Sequence, residues 1–172
     1  MELKYGDNLP ILDDVFFNIL PYYDICWVYD LIVIISVSLF VIYAFCKRTK
    51  EIPFFLLMFG LSQLTRGLFI GLTPFGSPKG NGIGIFKSTA FRLGVYPSGH
   101  TGSVFLAFLL AKGRWKILFF ILTILIIITL LLARGHYSVD VFSALLFNYA
   151  IYCFTYKYFH KWLETSNNNT YS

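Results

Sequence analysis

The sequence predicts an all-α, polytopic membrane bundle of about five transmembrane helices with an N-terminal interfacial segment, on three observations. Hydrophobic residues make up 57% of the chain and charged residues only 13%, against about 45–50% and about 25% in a soluble domain. That excess is gathered into long runs, and a chain of 172 residues has no room to hide them from water. The runs also lack the alternation of barrel strands, which leaves helices as the way to satisfy backbone groups in lipid.

Five apolar segments carry the expected spans: Ile25 to Cys46, Ile52 to Leu72, Ser98 to Ala111, Ile117 to Ala133, and Tyr137 to about Tyr158. A span needs about 20 residues, so the third is short unless it begins inside a polar cavity. Residues 1–24 place Phe16, Phe17, Tyr22 and Tyr23 among five acids and two prolines, the composition of a surface-lying segment. They lack the basic start and apolar centre of a secretory signal. Residues 1–162 read as one membrane-embedded catalytic domain, and 163–172 as a polar, disordered tail.

Net charge is +5, but the cations flank apolar runs instead of forming one face, which argues against a nucleic-acid partner. Eight of them (Lys47, Arg48, Lys50, Lys112, Arg114, Lys116, Lys157 and Lys161) fall on one side of the expected topology. Five (Lys4, Lys79, Lys87, Arg92 and Arg134) fall on the other. The positive-inside rule then puts the N-terminus outside and the C-terminus in the cytoplasm. The loop from Thr73 to Pro97 faces outward. It holds Gly76, Gly80, Gly82, Gly84 and Gly94, but no βαβ unit surrounds them to make a dinucleotide site. Cys26, Cys46 and Cys153 are scattered and read as ordinary buried thiols. No carboxylate cluster or His/Cys spacing predicts a metal, and no cofactor is expected.

Two short segments carry the chemistry. In Pro97-Ser98-Gly99-His100-Thr101, proline and serine stand just before an apolar run and mark a helix start, with Ser98 as its cap. The amides of Gly99 and its neighbours, with the helix dipole, form an anion site beside His100. Taken alone, such a segment is more often a capped helix with an incidental histidine. In Gly135-His136-Tyr137-Ser138-Val139-Asp140, the histidine and aspartate are four apart and share a helix face. A carboxylate on the imidazole fixes the tautomer and stabilises the protonated ring. Asp140 is the only acid between Glu51 and Glu164, and an acid in a membrane helix marks function by default. A structural His–Asp pair between helices is the plainer account of it.

One helical hairpin separates the two segments, so the chain crosses and returns, bringing His136 back to the face where His100 lies. Two histidines and a carboxylate beside a helix N-terminus fit metal-free phosphoryl transfer. Arg66 lies about 9 Å below the outer end of its span and is a phosphate ligand unless it merely snorkels. Arg134 is a further candidate cation. Asp30, near the outer end of the first span, opposes a cationic headgroup or pairs with Arg66. His160 falls at the other end and reads as a bystander.

These residues resemble the sphingomyelin-synthase-related branch of the type 2 phosphatidic acid phosphatase (lipid phosphate phosphatase) superfamily. Tyr96-Pro97-Ser98-Gly99-His100-Thr101 is similar to its second motif, and Ala133-Arg134-Gly135-His136-Tyr137-Ser138-Val139-Asp140 to its third. The resemblance extends to Leu9-Pro10, Phe16-Phe17 and the stretch from Arg66 to Pro74. It implies that His136 is a nucleophile forming a phosphohistidine, that Asp140 assists it, and that His100 is the acid for the leaving group. In the synthases a second lipid alcohol takes the phosphate; in the phosphatases water does. The phosphatase pattern has a Lys and an Arg-Pro where Arg66 and Thr73-Pro74 stand, and a Ser-Arg where Thr129-Leu130 stands. With two clamping cations missing, a diester suits the site better than a more highly charged monoester. The implied activity is an integral membrane lipid phosphotransferase, with phospholipid and lipid alcohol as substrates and its site on the non-cytoplasmic side. A lipid phosphate phosphatase and a non-catalytic membrane subunit are the alternatives.

Overall fold

In the computed structural model of the chain, residues 11–73, 76–78 and 96–168 are described, with side chains through Phe159. Leu9-Pro10, Pro74, most of the glycine-rich loop, Lys4, Lys79, Lys87 and Arg92 lie outside the described residues, as do the side chains of His160 and Lys161 and the whole of 169–172.

The bundle is all-α. In chain order it comprises α1 (Val15–Ile19), α2 (Cys26–Lys47), a 3-10 turn (Thr49–Glu51), α3 (Ile52–Leu72), α4 (Gly99–Leu110), α5 (Arg114–Leu132) and α6 (Ser138–Asn168). Among the described residues, four stretches are long and apolar enough to cross a bilayer: Cys26–Lys47, Thr49–Leu72, Arg114–Leu132 and Ser138–Phe159. The chain is therefore an integral membrane protein. α4 has only 12 residues and rises about 18 Å, well short of a hydrocarbon layer of about 30 Å. α6 runs on to Asn168, so residues 163–168, read from sequence as disordered tail, carry helical backbone. Extending a helix that already exists is far easier than starting one, and polar residues do not prevent it.

The short α4 is the centre of the bundle and packs against α2, α3, α5 and α6. Two apolar clusters surround it. At the end carrying Lys47 and Lys112, Phe40, Phe54, Met58, Leu106 and Phe119 interlock. Toward the other end, Cys26, Tyr29, Val104, Ile126, Leu130 and Val141 do so. Large apolar side chains also face outward, among them Ile42, Phe45, Leu64, Leu68, Ile117 and Ile121. Lipid tails cover such a surface at no cost. Packing and interhelical hydrogen bonds, not apolar burial, must then hold the helices together.

α5 ends in a Schellman motif. Gly135 N–H donates to Leu130 C=O at 2.9 Å and Arg134 N–H to Leu131 C=O at 3.2 Å, with Arg134 in the left-handed region at φ 50°. A non-glycine residue there is disfavoured by about 1–2 kcal/mol. Arg134 is held by its side chain: Nη2 donates to Phe17 C=O at 3.0 Å, and the guanidinium lies over the rings of Phe17 and Tyr22 at 5.4 and 5.5 Å. Gly135 has its own reason. A Cβ there would meet the Tyr29 ring at 2.8 Å.

The N-terminal segment lies across this turn. Asp14 caps α1, its Oδ1 accepting from Phe16 N–H at 2.9 Å, while its Oδ2 accepts from Ser138 N–H at the start of α6. Leu12 N–H donates to the Tyr137 hydroxyl at 3.2 Å, and Tyr23 N–H to Leu132 C=O at 3.0 Å. Phe17 stacks on Tyr137 at 5.9 Å. One carboxylate thus closes two helix starts, and losing such a cap costs about 0.5–2 kcal/mol. Asp14→Ala is expected to speed amide hydrogen exchange across residues 12–20 and at the start of α6 together. Faster exchange in only one of the two would refute the shared cap.

Candidate functional site

Four helices bring ionisable groups to one end of the bundle. Asp30 lies about 6 Å inside the start of α2, and Arg66 about 9 Å inside the end of α3. His100 is in the first turn of α4 and His136 in the turn ahead of α6. Ser98 caps α4, its hydroxyl accepting from Thr101 N–H at 3.3 Å. The Ser98 N–H donates to Asp140 C=O at 3.1 Å, tying the two motifs together through the backbone.

The side chains form one line. His136 Nδ1 lies 3.3 Å from Asp140 Oδ2, His136 Nε2 lies 3.3 Å from His100 Nδ1, and His100 Nε2 lies 3.0 Å from Asp30 Oδ1. Both carboxylates are buried, Asp30 at 1% and Asp140 at 0% exposure. Asp140 also reaches back to accept from Tyr137 N–H at 3.0 Å, the return half of a capping box. The helix start and the His136 contact therefore share one oxygen. Tyr29 meets the His100 ring edge-on at 5.4 Å.

Arg66 lies over the first turn of α4. Its Nε donates to Pro97 C=O at 3.3 Å, and a Cβ on Gly99 would come within 3.0 Å of that nitrogen. Ser98, Gly99 and Arg66 line one open crevice with an enclosed volume of about 10 Å³, room for about one water. Asp30 makes its described contact with His100, where the sequence pointed to a headgroup or Arg66. Arg134 is engaged by Phe17 and Tyr22; its sequence position two residues before His136 does not reveal that the left-handed backbone turns it toward the N-terminal segment. Among the described residues, no group of three or more His, Cys, Asp or Glu side chains could hold a metal ion. The four groups of the line contact one another in series, not around a common point.

Sequence reasoning missed three residues of this region. Asp14 had a local signal, an aspartate directly before an apolar turn. Ser62 and Asn148, which bond across α3 and α6 at 2.7 Å, had only their polarity in apolar runs.

Burial pushes the His136 imidazole below its usual range, and the hydrogen bond to Asp140 opposes this without cancelling it. In the folded protein the ring is neutral at pH 7 and takes its proton only below the ordinary value of about 6.5. Histidine NMR should give a His136 midpoint below that value, and Asp140→Asn, by removing the opposing influence, should move it lower still. A midpoint at or above the ordinary value would contradict the burial argument. No protein-family model matches the chain, and no curated protein matches it significantly in sequence.

Proposed function

We propose that the chain is an integral membrane lipid phosphotransferase that moves a phospho-headgroup from a phospholipid to a lipid alcohol through His136. The observation that carries this reading is the line Asp140–His136–His100–Asp30, with contacts of 3.3, 3.3 and 3.0 Å, next to a capped helix N-terminus and an arginine.

Each carboxylate orients one ring. Asp140 accepts from His136 Nδ1–H, which leaves the Nε2 lone pair as the nucleophile. Asp30 accepts from His100 Nε2–H, which leaves Nδ1 as the atom that gives or takes a proton. These two working nitrogens face each other. If both were bare they would repel, so a shared proton or an entering phosphate belongs between them. In the first step Nε2 of His136 bonds to phosphorus and the P–O bond to the donor lipid breaks. The proton on His100 goes to the leaving oxygen, releasing a lipid alcohol and leaving the headgroup phosphate on His136 with one P–N bond and one remaining ester. In the second, His100 takes the proton of an acceptor alcohol, whose oxygen bonds to phosphorus as the P–N bond breaks. Arg66 and the first-turn amides of α4 offset the phosphate charge throughout. With Arg134 engaged elsewhere, Arg66 is the cation among the described residues that lines the crevice, which favours a singly charged diester over a monoester.

Arg48, Lys112 and Lys157 lie toward the bundle end away from the histidines. By the positive-inside rule that end is cytoplasmic and the site non-cytoplasmic.

The test supplies purified protein with a headgroup-labelled phosphodiester lipid, with and without a lipid alcohol acceptor. Label appearing on the acceptor is the expected result. Label in water-soluble phosphate would make the enzyme a hydrolase. His136→Ala should abolish turnover, and His100→Ala should lower it by about 10²–10⁴-fold, with both variants still inserting. Wild-type turnover in His136→Ala would end the mechanism.

A further inference from the structure

The narrow crevice beside Arg66 is lined further along α3 by Ser62, and by Asn148 from α6. Ser62 lies one turn before Arg66 on α3, about 6 Å further into the bundle. Asn148 on α6 lies opposite, 5% exposed, with its Oδ1 accepting from the Ser62 hydroxyl at 2.7 Å. One Nδ2–H donates to Ala144 C=O at 2.7 Å, which leaves the second N–H of that amide for another acceptor. Gly102 makes room for it: a Cβ there would come within 2.7 Å of Asn148 Nδ2. Gly99 and Gly102, three residues apart on α4, therefore clear space for two polar groups from two other helices, Arg66 above and Asn148 below. Ser62, Arg66, Gly99, Gly102 and Asn148 line the same opening.

An asparagine bridging membrane helices is commonly interhelical glue. A glycine beneath its nitrogen fits glue as well, but glue alone does not need a water-sized opening beside it. We propose that this lower part of the crevice is a subsite for the acyl carbonyl that neighbours the phosphate in a phospholipid, with the Asn148 N–H as donor. The placement of the phosphate at Arg66 rests on the phosphotransferase reading above. The carbonyl lies a few bonds from phosphorus on the tail side, so it falls toward Asn148 when the phosphate lies by Arg66. An acyl ester of a glycerolipid and an acyl amide of a sphingolipid both present that acceptor; an ether-linked lipid does not.

The experiment uses the full chain in detergent micelles and measures competition against a fluorescent diacyl phospholipid. The competitors are diacyl phosphatidylcholine, its dialkyl ether of equal chain length, and sphingomyelin. Wild type should bind the diacyl form about five- to tenfold better than the ether, the effect of one hydrogen bond. Asn148→Leu should bring that ratio to about one. Sphingomyelin binding as well as or better than the diacyl form assigns the subsite to an amide; weaker binding assigns it to an ester. Equal binding of diacyl and ether forms by wild type overturns the proposal, even if Asn148→Leu fails to fold. So does an unchanged ratio in Asn148→Leu, which leaves the residue as glue. His136→Ala separates the two ideas: it should keep the carbonyl ratio while losing turnover. Turnover retained in that variant would sink the phosphotransferase reading and leave the binding ratio to decide the subsite.

Discussion

Two carboxylates with almost no exposure, Asp30 and Asp140, are the constraint around which the rest of this bundle is arranged. An acid held away from water is costly unless partners answer it. Each is answered by an imidazole, and the two imidazoles answer each other, so three helices are coupled through one line of contacts. Removing one member exposes the charge of its neighbour, so the groups stand or fall as a set. In a membrane, where apolar burial between helices contributes little, such a line also helps to fix how α2, α4 and α6 sit relative to one another.

The outer turn supports that line from the other side. Tyr137 and Ser138 begin α6 with their amides directed to Asp140 and Asp14, while the α5 carbonyls are taken up by Arg134, Gly135 and Tyr23. Few backbone groups in this turn depend on solvent. The imidazole of His136 is therefore carried on a segment fastened at both ends, the kind of support that keeps a reactive side chain in register. Gly135 adds to this by admitting the Tyr29 ring, which borders His100.

Much of the architecture could be read before the structure, because lipid makes run length decisive. The apolar runs became helices close to their expected limits, and hairpin length alone returns His136 to the level of His100. The long-range partnerships were less accessible. Nothing local joins Asp14 to Ser138, 124 positions away, or Ser62 to Asn148, 86 away. Arg134 shows the limit most plainly. Two positions from His136 in sequence, it takes a left-handed backbone that carries its side chain to Phe17, and no periodicity in α5 announces that turn. Asp30 pointed from sequence to a cationic headgroup or Arg66; its place beside His100 needed the packing of α2 against α4.

α4 begins level with Asp30 and Arg66, which lie about 6 and 9 Å inside the ends of their own helices. Beyond its inner end, Lys112 N–H donates to the Tyr43 hydroxyl at 3.1 Å, so the 12 residues of α4 stop short on the side of the histidines. The first turn of α4 is therefore recessed below the ends of α2 and α3. A group that reaches His100 or Arg66 does so below the ends of those two helices, at a depth where each polar contact is made away from bulk water.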